Sequence, residues 1–220
     1  MWKLKIHFTK PNLCFIILQG DIMINNYILG LFATDGCLQT HTSKSGTNAY
    51  YVQIEMKDKQ IIEELGVFFD KEIKHRERII KGKEREFYSI FIRNDEYGVL
   101  LKDKRQLIHY FKNLSKIEQS NFIRGCFDGD GGICRRKECN GYRVYLCANS
   151  KDGLDKIYEE FFSLENIRFS KYYDARGAGA YNYNIGKQTE VKKFLDIIYQ
   201  DSNMKLQRKY EIYKQMVSIS

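Results

Sequence analysis

The chain has 220 residues, 43% of them hydrophobic and 29% charged, which is the balance of a folded globular protein and excludes a disordered or fibrous one. That length makes one large domain or two small ones, and a formal charge of +8 with a pI near 9.0 favours a polyanionic partner. No apolar run approaches the roughly 20 residues of a membrane span, and the six cysteines show no paired CxxC spacing, so a membrane protein and a zinc module are set aside and reduced thiols are expected.

Residues 1–22 have no counterpart later in the chain. Trp2 to Phe8 alternate like a strand, and the segment ends Gln19-Gly20-Asp21-Ile22 before Met23. We expect Met23 to be the biological start and 1–22 an extension, an ordinary N-terminal strand being the alternative. From there Ile24, Tyr27, Ile28 and Leu31 recur at helical spacing and run into Asp35-Gly36. Val52-Gln53-Ile54-Glu55 alternates as a strand. Ile61, Ile62, Leu65, Phe68 and Phe69 return to the helical period. Phe87 to Ile92 reads as a strand, and one helix is expected over roughly 95–112.

The same succession then begins again. Phe122, Ile123, Cys126 and Phe127 form a helical stripe running into Asp130-Gly131, and Val144 onward aligns without gaps on Val52 onward. Leu154, Ile157, Phe161 and Phe162 give a helix, 180–185 a strand and 188–200 a last helix. Asp35 and Asp130 occupy one slot of two copies, 95 positions apart.

Gly30 and Gly125 each lie five residues before the acid. Glycine costs about 1 kcal/mol in a helix interior relative to alanine, so a close approach of two helix backbones is expected there. Such packing sets Asp35 beside Asp130, which is unfavourable unless divalent cations sit between them. For either copy alone, a plain helix C-cap with Gly36 or Gly131 in the left-handed conformation explains the residues as well.

The segments Leu29-Gly30-Leu31-Phe32-Ala33-Thr34-Asp35-Gly36 and Arg124-Gly125-Cys126-Phe127-Asp128-Gly129-Asp130-Gly131 resemble the motif of the LAGLIDADG homing endonucleases, in the form with two motif copies in one chain. Ala33 stands where the motif has its inner acid, and Arg124 and Cys126 depart from the motif elsewhere in the second helix. Asp128 has only Ala33 as its equivalent and is read as structural. The resemblance implies an α+β fold of two pseudo-symmetric αββαββα repeats, 23–112 and 113–220, with the motif helices packed at their interface and antiparallel sheets forming a saddle-shaped DNA-binding surface. It further implies a monomeric, site-specific double-strand DNA endonuclease acting on a long, roughly palindromic site. A non-catalytic DNA-binding regulator or an intron RNA maturase is the alternative. The compartment expected is the cytoplasm, or an organellar matrix.

Phosphodiester hydrolysis needs an activated water and charge neutralisation, which carboxylate-bound Mg2+ or Mn2+ provides. The metal ligands expected are Asp35 and Asp130, with the main-chain carbonyls of Thr34 and Gly129 as accessories implied by the resemblance. The resemblance also implies polar or basic residues around the centre that order water and stabilise developing charge; repeat alignment offers Lys187 with Asn94 as one matched pair for that role and Gln53 with Tyr145 as another. A surface lysine at a strand-to-helix turn would account for Lys187 equally well. The DNA-facing residues expected are Gln39, His41, Ser43, Lys44, Tyr51, Gln53, Arg76, Arg78, Lys81, Lys83, Arg85 and Tyr88 in the first half. In the second they are Arg135, Arg136, Lys137, Arg143, Tyr145, Arg176 and Tyr183, together with Lys171, Tyr173 and Tyr181. A merely solvated sheet face would carry the same residue types.

Overall fold

A computed structural model describes residues 24–136, 141–149, 153–176, 179–200 and 202–219. The expected extension 1–22 and Lys137 lie outside the described residues. In the first half, α1 (Asn26–Asp35) leads into β1 (Gly36–Thr42), β2 (Asn48–Met56), α2 (Lys59–Phe69), β3 (Lys74–Ile80), β4 (Lys83–Arg93), α3 (Asp95–Lys102) and α4 (Lys104–Lys112). The second half repeats the order as α5 (Lys116–Asp130), β5 (Gly132–Arg135), β6 (Tyr142–Asn149), α6 (Leu154–Leu164), β7 (Ser170–Asp174), β8 (Ala180–Ile185), α7 (Gln188–Tyr199) and α8 (Gln207–Ile219).

Each half thus carries one helix more than the αββαββα pattern. The single helix expected over 95–112 is split at Asp103, whose side chain accepts from the Arg105 amide and starts a new helix. A carboxylate in that position is a strong N-cap. The two motif helices also start at side-chain caps: Asn25 accepts from the Tyr27 and Ile28 amides, and Ser115 forms a reciprocal capping box with Glu118.

The sheets are antiparallel and ordered alike, β1-β2-β4-β3 and β5-β6-β8-β7. One face of each covers helices. Val52, Ile54, Ile90 and Ile92 are buried in the same core as Ile61, Ile62 and Leu65 of α2; Val144, Leu146, Tyr183 and Ile185 lie with Ile157, Phe161 and Phe194 of α6 and α7. Between the sheets run α1 and α5. Residues Asn26 to Phe32 of α1 are all buried, as suits a helix enclosed on every side.

The glycine expectation holds at atomic detail. A Cβ on Gly30 would lie 2.0 Å from the carbonyl oxygen of Phe122, and one on Gly125 would lie 2.0 Å from that of Tyr27. Gly30 and Gly125 are equivalents in the repeat, as are Tyr27 and Phe122, so the contacts are reciprocal about a pseudo-dyad. Among the described residues no helix is long and apolar enough to cross a membrane.

Candidate active site

Because α1 and α5 cross so closely, their C-terminal ends meet. Thr34 and Gly129, another equivalent pair, face one another: a Cβ on Gly129 would be 2.0 Å from Thr34 Oγ1 and 3.4 Å from Asp35 Oδ2. The Asp35 carboxylate therefore reaches across to the last turn of α5, one residue from Asp130. Burial and then the Asp130 charge push Asp35 up to about 6, while Lys209 and Arg208 oppose the rise. Burial also raises Asp130, against the pull of Lys209. Two helix C-termini add their own negative potential at the same place. Gly36 and Gly131 do cap their helices, their amides donating to the Phe32 and Phe127 carbonyls, but not in the left-handed conformation. Gly36 and Gly131 are extended, with φ of −78° and −87°, and are glycines because a Cβ would crowd the carbonyls of Phe32 and Phe127 at 2.4 and 2.6 Å.

Behind the aspartates lies a buried polar network contributed by the chain beyond α7. Lys209 of α8 donates to the carbonyls of Phe127, Asp128 (2.9 Å) and Gly131 (2.7 Å), tying down the end of α5. Burial pulls Lys209 down to about 8, with Asp128 and Asp35 resisting. Asp128 Oδ2 accepts from the Tyr27 hydroxyl at 2.9 Å and the Leu206 amide at 2.8 Å. Arg124, the departure from the motif, donates to the carbonyls of Met204 and Ile198 at 2.9 and 2.8 Å. Arg208 reaches back to the first half and pairs with Asp58 at 3.0 Å. Lys209 and Arg208 lie in α8, past the helix at 188–200 that closes the αββαββα pattern, so repeat alignment does not reach them.

No family model matches the chain, and a search of curated proteins finds no match either. Solved structures do match. I-DmoI in complex with DNA and Ca superposes with a TM-score of 0.57 at 19% identity, covering 87% of this chain and 96% of that one. I-DmoI with DNA and Mn gives 0.54 at 21% identity, over 82% and 97%. I-SmaMI, bound to an uncleaved DNA target in the presence of calcium ions, gives 0.55 at 14% identity, over 90% of each chain. The fold is the LAGLIDADG homing-endonuclease fold.

Within that fold the matched pair Gln53 and Tyr145 lies beside the aspartates. Gln53 is paired with Cys37, two residues after Asp35, and Tyr145 with Gly132, two after Asp130. A Cβ on Gly132 would meet the Tyr145 phenol at 2.2 Å, so that ring lies over the start of β5. The other matched pair is not gathered there. Asn94 is buried, and its side chain caps α3 by accepting from the Tyr97 amide at 3.0 Å. Lys187 is exposed at the start of α7. There Gln188 is tied to the Tyr142 main chain, at the hairpin end of β5–β6 and away from Asp130.

Strand register decides which side chains face away from the helices. In the first half Gln39, His41, Tyr51, Gln53, Arg76, Arg78, Lys83 and Arg85 all do, and Ser43, Lys44 and Lys81 are exposed in loops, but Tyr88 lies on the helix side, opposite buried Met56. His41 packs edge-on to Tyr51, which stacks on Phe91, ring centroids 5.2 Å apart in both cases. In the second half Arg143 and Tyr145 face outward. Tyr183 does not: it is fully buried, and its hydroxyl donates to the Asp155 carbonyl at 3.1 Å. Lys171, Tyr173 and Tyr181 share its face, and Arg135 lies on the helix side opposite Tyr142. Arg136 is half-buried in the hairpin, and exposed Arg176 is engaged by Asp174 at 2.6 Å. The outward places belong instead to Tyr172, Asn182 and Asn184. Ile185 was the available signal, since a buried aliphatic residue at the strand end turns every odd-numbered position of β8 inward.

Proposed function

We propose that the protein is a site-specific endonuclease that makes double-strand breaks in DNA by metal-dependent phosphodiester hydrolysis. The observation that carries this reading is the meeting of Asp35 and Asp130 at the shared end of α1 and α5. Paired carboxylates are costly next to a polyanion unless a cation joins them; burial is the main cause of the raised proton affinity of both, the Asp130 charge adding to it at Asp35, and a bound cation would oppose both effects. Hard oxygen donors, few in number, suit Mg2+ or Mn2+, which complete their shells with water and phosphate. Asp35 and Asp130 would hold the metal, with the main-chain carbonyls of Thr34 and Gly129 as accessory donors. Bound there, the metal supplies charge neutralisation at the scissile phosphate and an acidified water.

The chain's own contribution is placement. Each sheet presents its outward strands to a major groove and spans about one helical turn, roughly 10 bp. That holds the duplex dyad over the pseudo-dyad of α1 and α5, so one phosphate of each strand meets one aspartate. Gln53 and Tyr145, on the strands beside the acids, orient water and phosphate with an amide and a phenol. A single chain supplies both halves, so the active species is a monomer on a roughly palindromic site.

The experiment is selection of cleaved plasmids from a random-insert library with Mg2+, run in parallel with Asp35→Asn and Asp130→Asn. Linearisation at one family of sequences, lost on chelation and in either variant, is the result expected. Sequence-selective binding with no metal-dependent cut would replace this reading with a non-catalytic regulator or a maturase.

A further inference from the structure

The outward faces of the two sheets carry very different charge. On the first, the strands present Lys74, Arg76, Arg78, Lys83, Arg85 and Arg93 against one acid, Glu55. Arg78 is held by Glu55 at 2.9 Å and Arg93 approaches Asp95 at 3.5 Å. Lys74, Arg76, Lys83 and Arg85 have no acidic partner among the described residues and are exposed. The patch is organised around Phe87, with the Arg78 guanidinium 5.0 Å and the Lys57 ammonium 5.6 Å from its ring centre.

The charge is sorted by face, not spread over the hairpin. Register puts Glu77, Glu84 and Glu86 on the opposite side of the same two strands, beside His75 and Tyr88. Alternating basic and acidic residues along β3 and β4 therefore give one cationic and one anionic surface. A sheet whose charge served solubility alone would have no reason to separate the signs in this way.

Among the described residues, the outward strand positions of the second sheet carry no such patch. Its outward strand positions hold Cys134, Arg143, Tyr145, Tyr172, Asn182 and Asn184, with Asp174 as the acid. Arg176 adds no free cation there, because its guanidinium sits on Asp174 through Nε at 2.9 Å and a terminal nitrogen at 2.6 Å.

We propose that the two halves divide the work of binding. The β3–β4 face of the first repeat clamps the phosphodiester backbone of one half-site and supplies most of the salt-sensitive affinity. The second repeat engages its half-site through neutral amide and phenol groups. Phosphate contacts made by lysine and arginine dominate affinity and its salt dependence, while amides aligned to base edges carry sequence preference. This inference rests on the proposed DNA-cleaving function and adds a polarity to it.

The test uses the full chain, without divalent metal, and a fluorescein-labelled duplex of arbitrary sequence about 30 bp long, enough to span both halves. Anisotropy gives Kd between about 50 and 200 mM KCl, a range over which phosphate contacts make affinity fall steeply. Arg76→Gln/Lys83→Gln/Arg85→Gln is expected to flatten the slope of log Kd against log salt by about 2–3 and to weaken binding more than tenfold at the lower salt. Arg143→Gln/Arg176→Gln is expected to change the slope by less than about 1. Equal loss per charge removed from either half would overturn the division of labour while leaving the nuclease reading intact. Failure of the unaltered protein to bind any duplex would remove both.

Discussion

Gly30 packs against the main-chain carbonyl of Phe122 so closely that a single added methyl would overlap it, at 2.0 Å. No side chain can move aside to relieve that overlap, because both surfaces are backbone within helices. Gly30→Ala or Gly125→Ala must therefore push α1 and α5 apart. The expected cost is about 1–3 kcal/mol by chemical denaturation, in the range of overpacked cores. Cleavage should fall further than stability does, since a misplacement near 1 Å at a reacting centre costs about a hundredfold. An alanine variant of unchanged stability would contradict the close crossing.

The acid pair makes stability depend on pH. Asp35 titrates near 6 in the folded chain against an ordinary value of 3.8, so folding favours its protonated form. Its stabilising contribution is complete below about 3.8 and is lost as pH rises through about 6. In chelator, Asp35→Asn should thus melt a few degrees above the unaltered protein at pH 8, the gap closing towards pH 4. Adding Mg2+ should raise the melting temperature of the unaltered protein and not that of Asp35→Asn/Asp130→Asn.

Tyr27 and Asp128 join the two motif helices through a buried hydrogen bond to a carboxylate. Tyr27→Phe should cost about 1.5–3 kcal/mol in urea unfolding, as hydrogen bonds to charged groups do. Arg124→Met should cost more, because the buried carbonyls of Ile198 and Met204 lose their donor together.

Asn182 and Asn184 face outward from β8, and an amide matches the paired donor and acceptor of adenine. Asn182→Ala and Asn184→Ala should each relax preference at one position of the second half-site, by about 1–3 kcal/mol of discrimination. The salt slope should stay the same. Sequencing of cleaved sites measures the first effect and anisotropy the second. Tyr183→Phe, altering a buried hydroxyl, should leave the site preference untouched.

The central helices and their acids were legible in the sequence because glycine in a helix and an Asp-Gly terminus are local signals, and repetition doubled them. The faces of β8 were not. Tyrosine is at home in a core or in water, so Tyr181 and Tyr183 fit either phase, and only Ile185 fixes it. Asn94-Asp95-Glu96 carries an ordinary helix-start signature, which the alignment with Lys187 obscured. Lys209 sends no local signal at all. One lysine in a polar C-terminal helix becomes buried only through tertiary closure onto α5.

Since the crossing of α1 and α5 is made of main chain against main chain, it imposes almost nothing on the residues exposed on the strands. On the DNA-cleaving function proposed above, the helix crossing and the outward strand positions are separately adjustable. New target preferences can accumulate on one sheet while the other sheet, the acids and the crossing stay as they are. A half-molecule exchanged into another chain would have to keep both glycines together with the Tyr27–Asp128 and Arg208–Asp58 contacts that also join the halves.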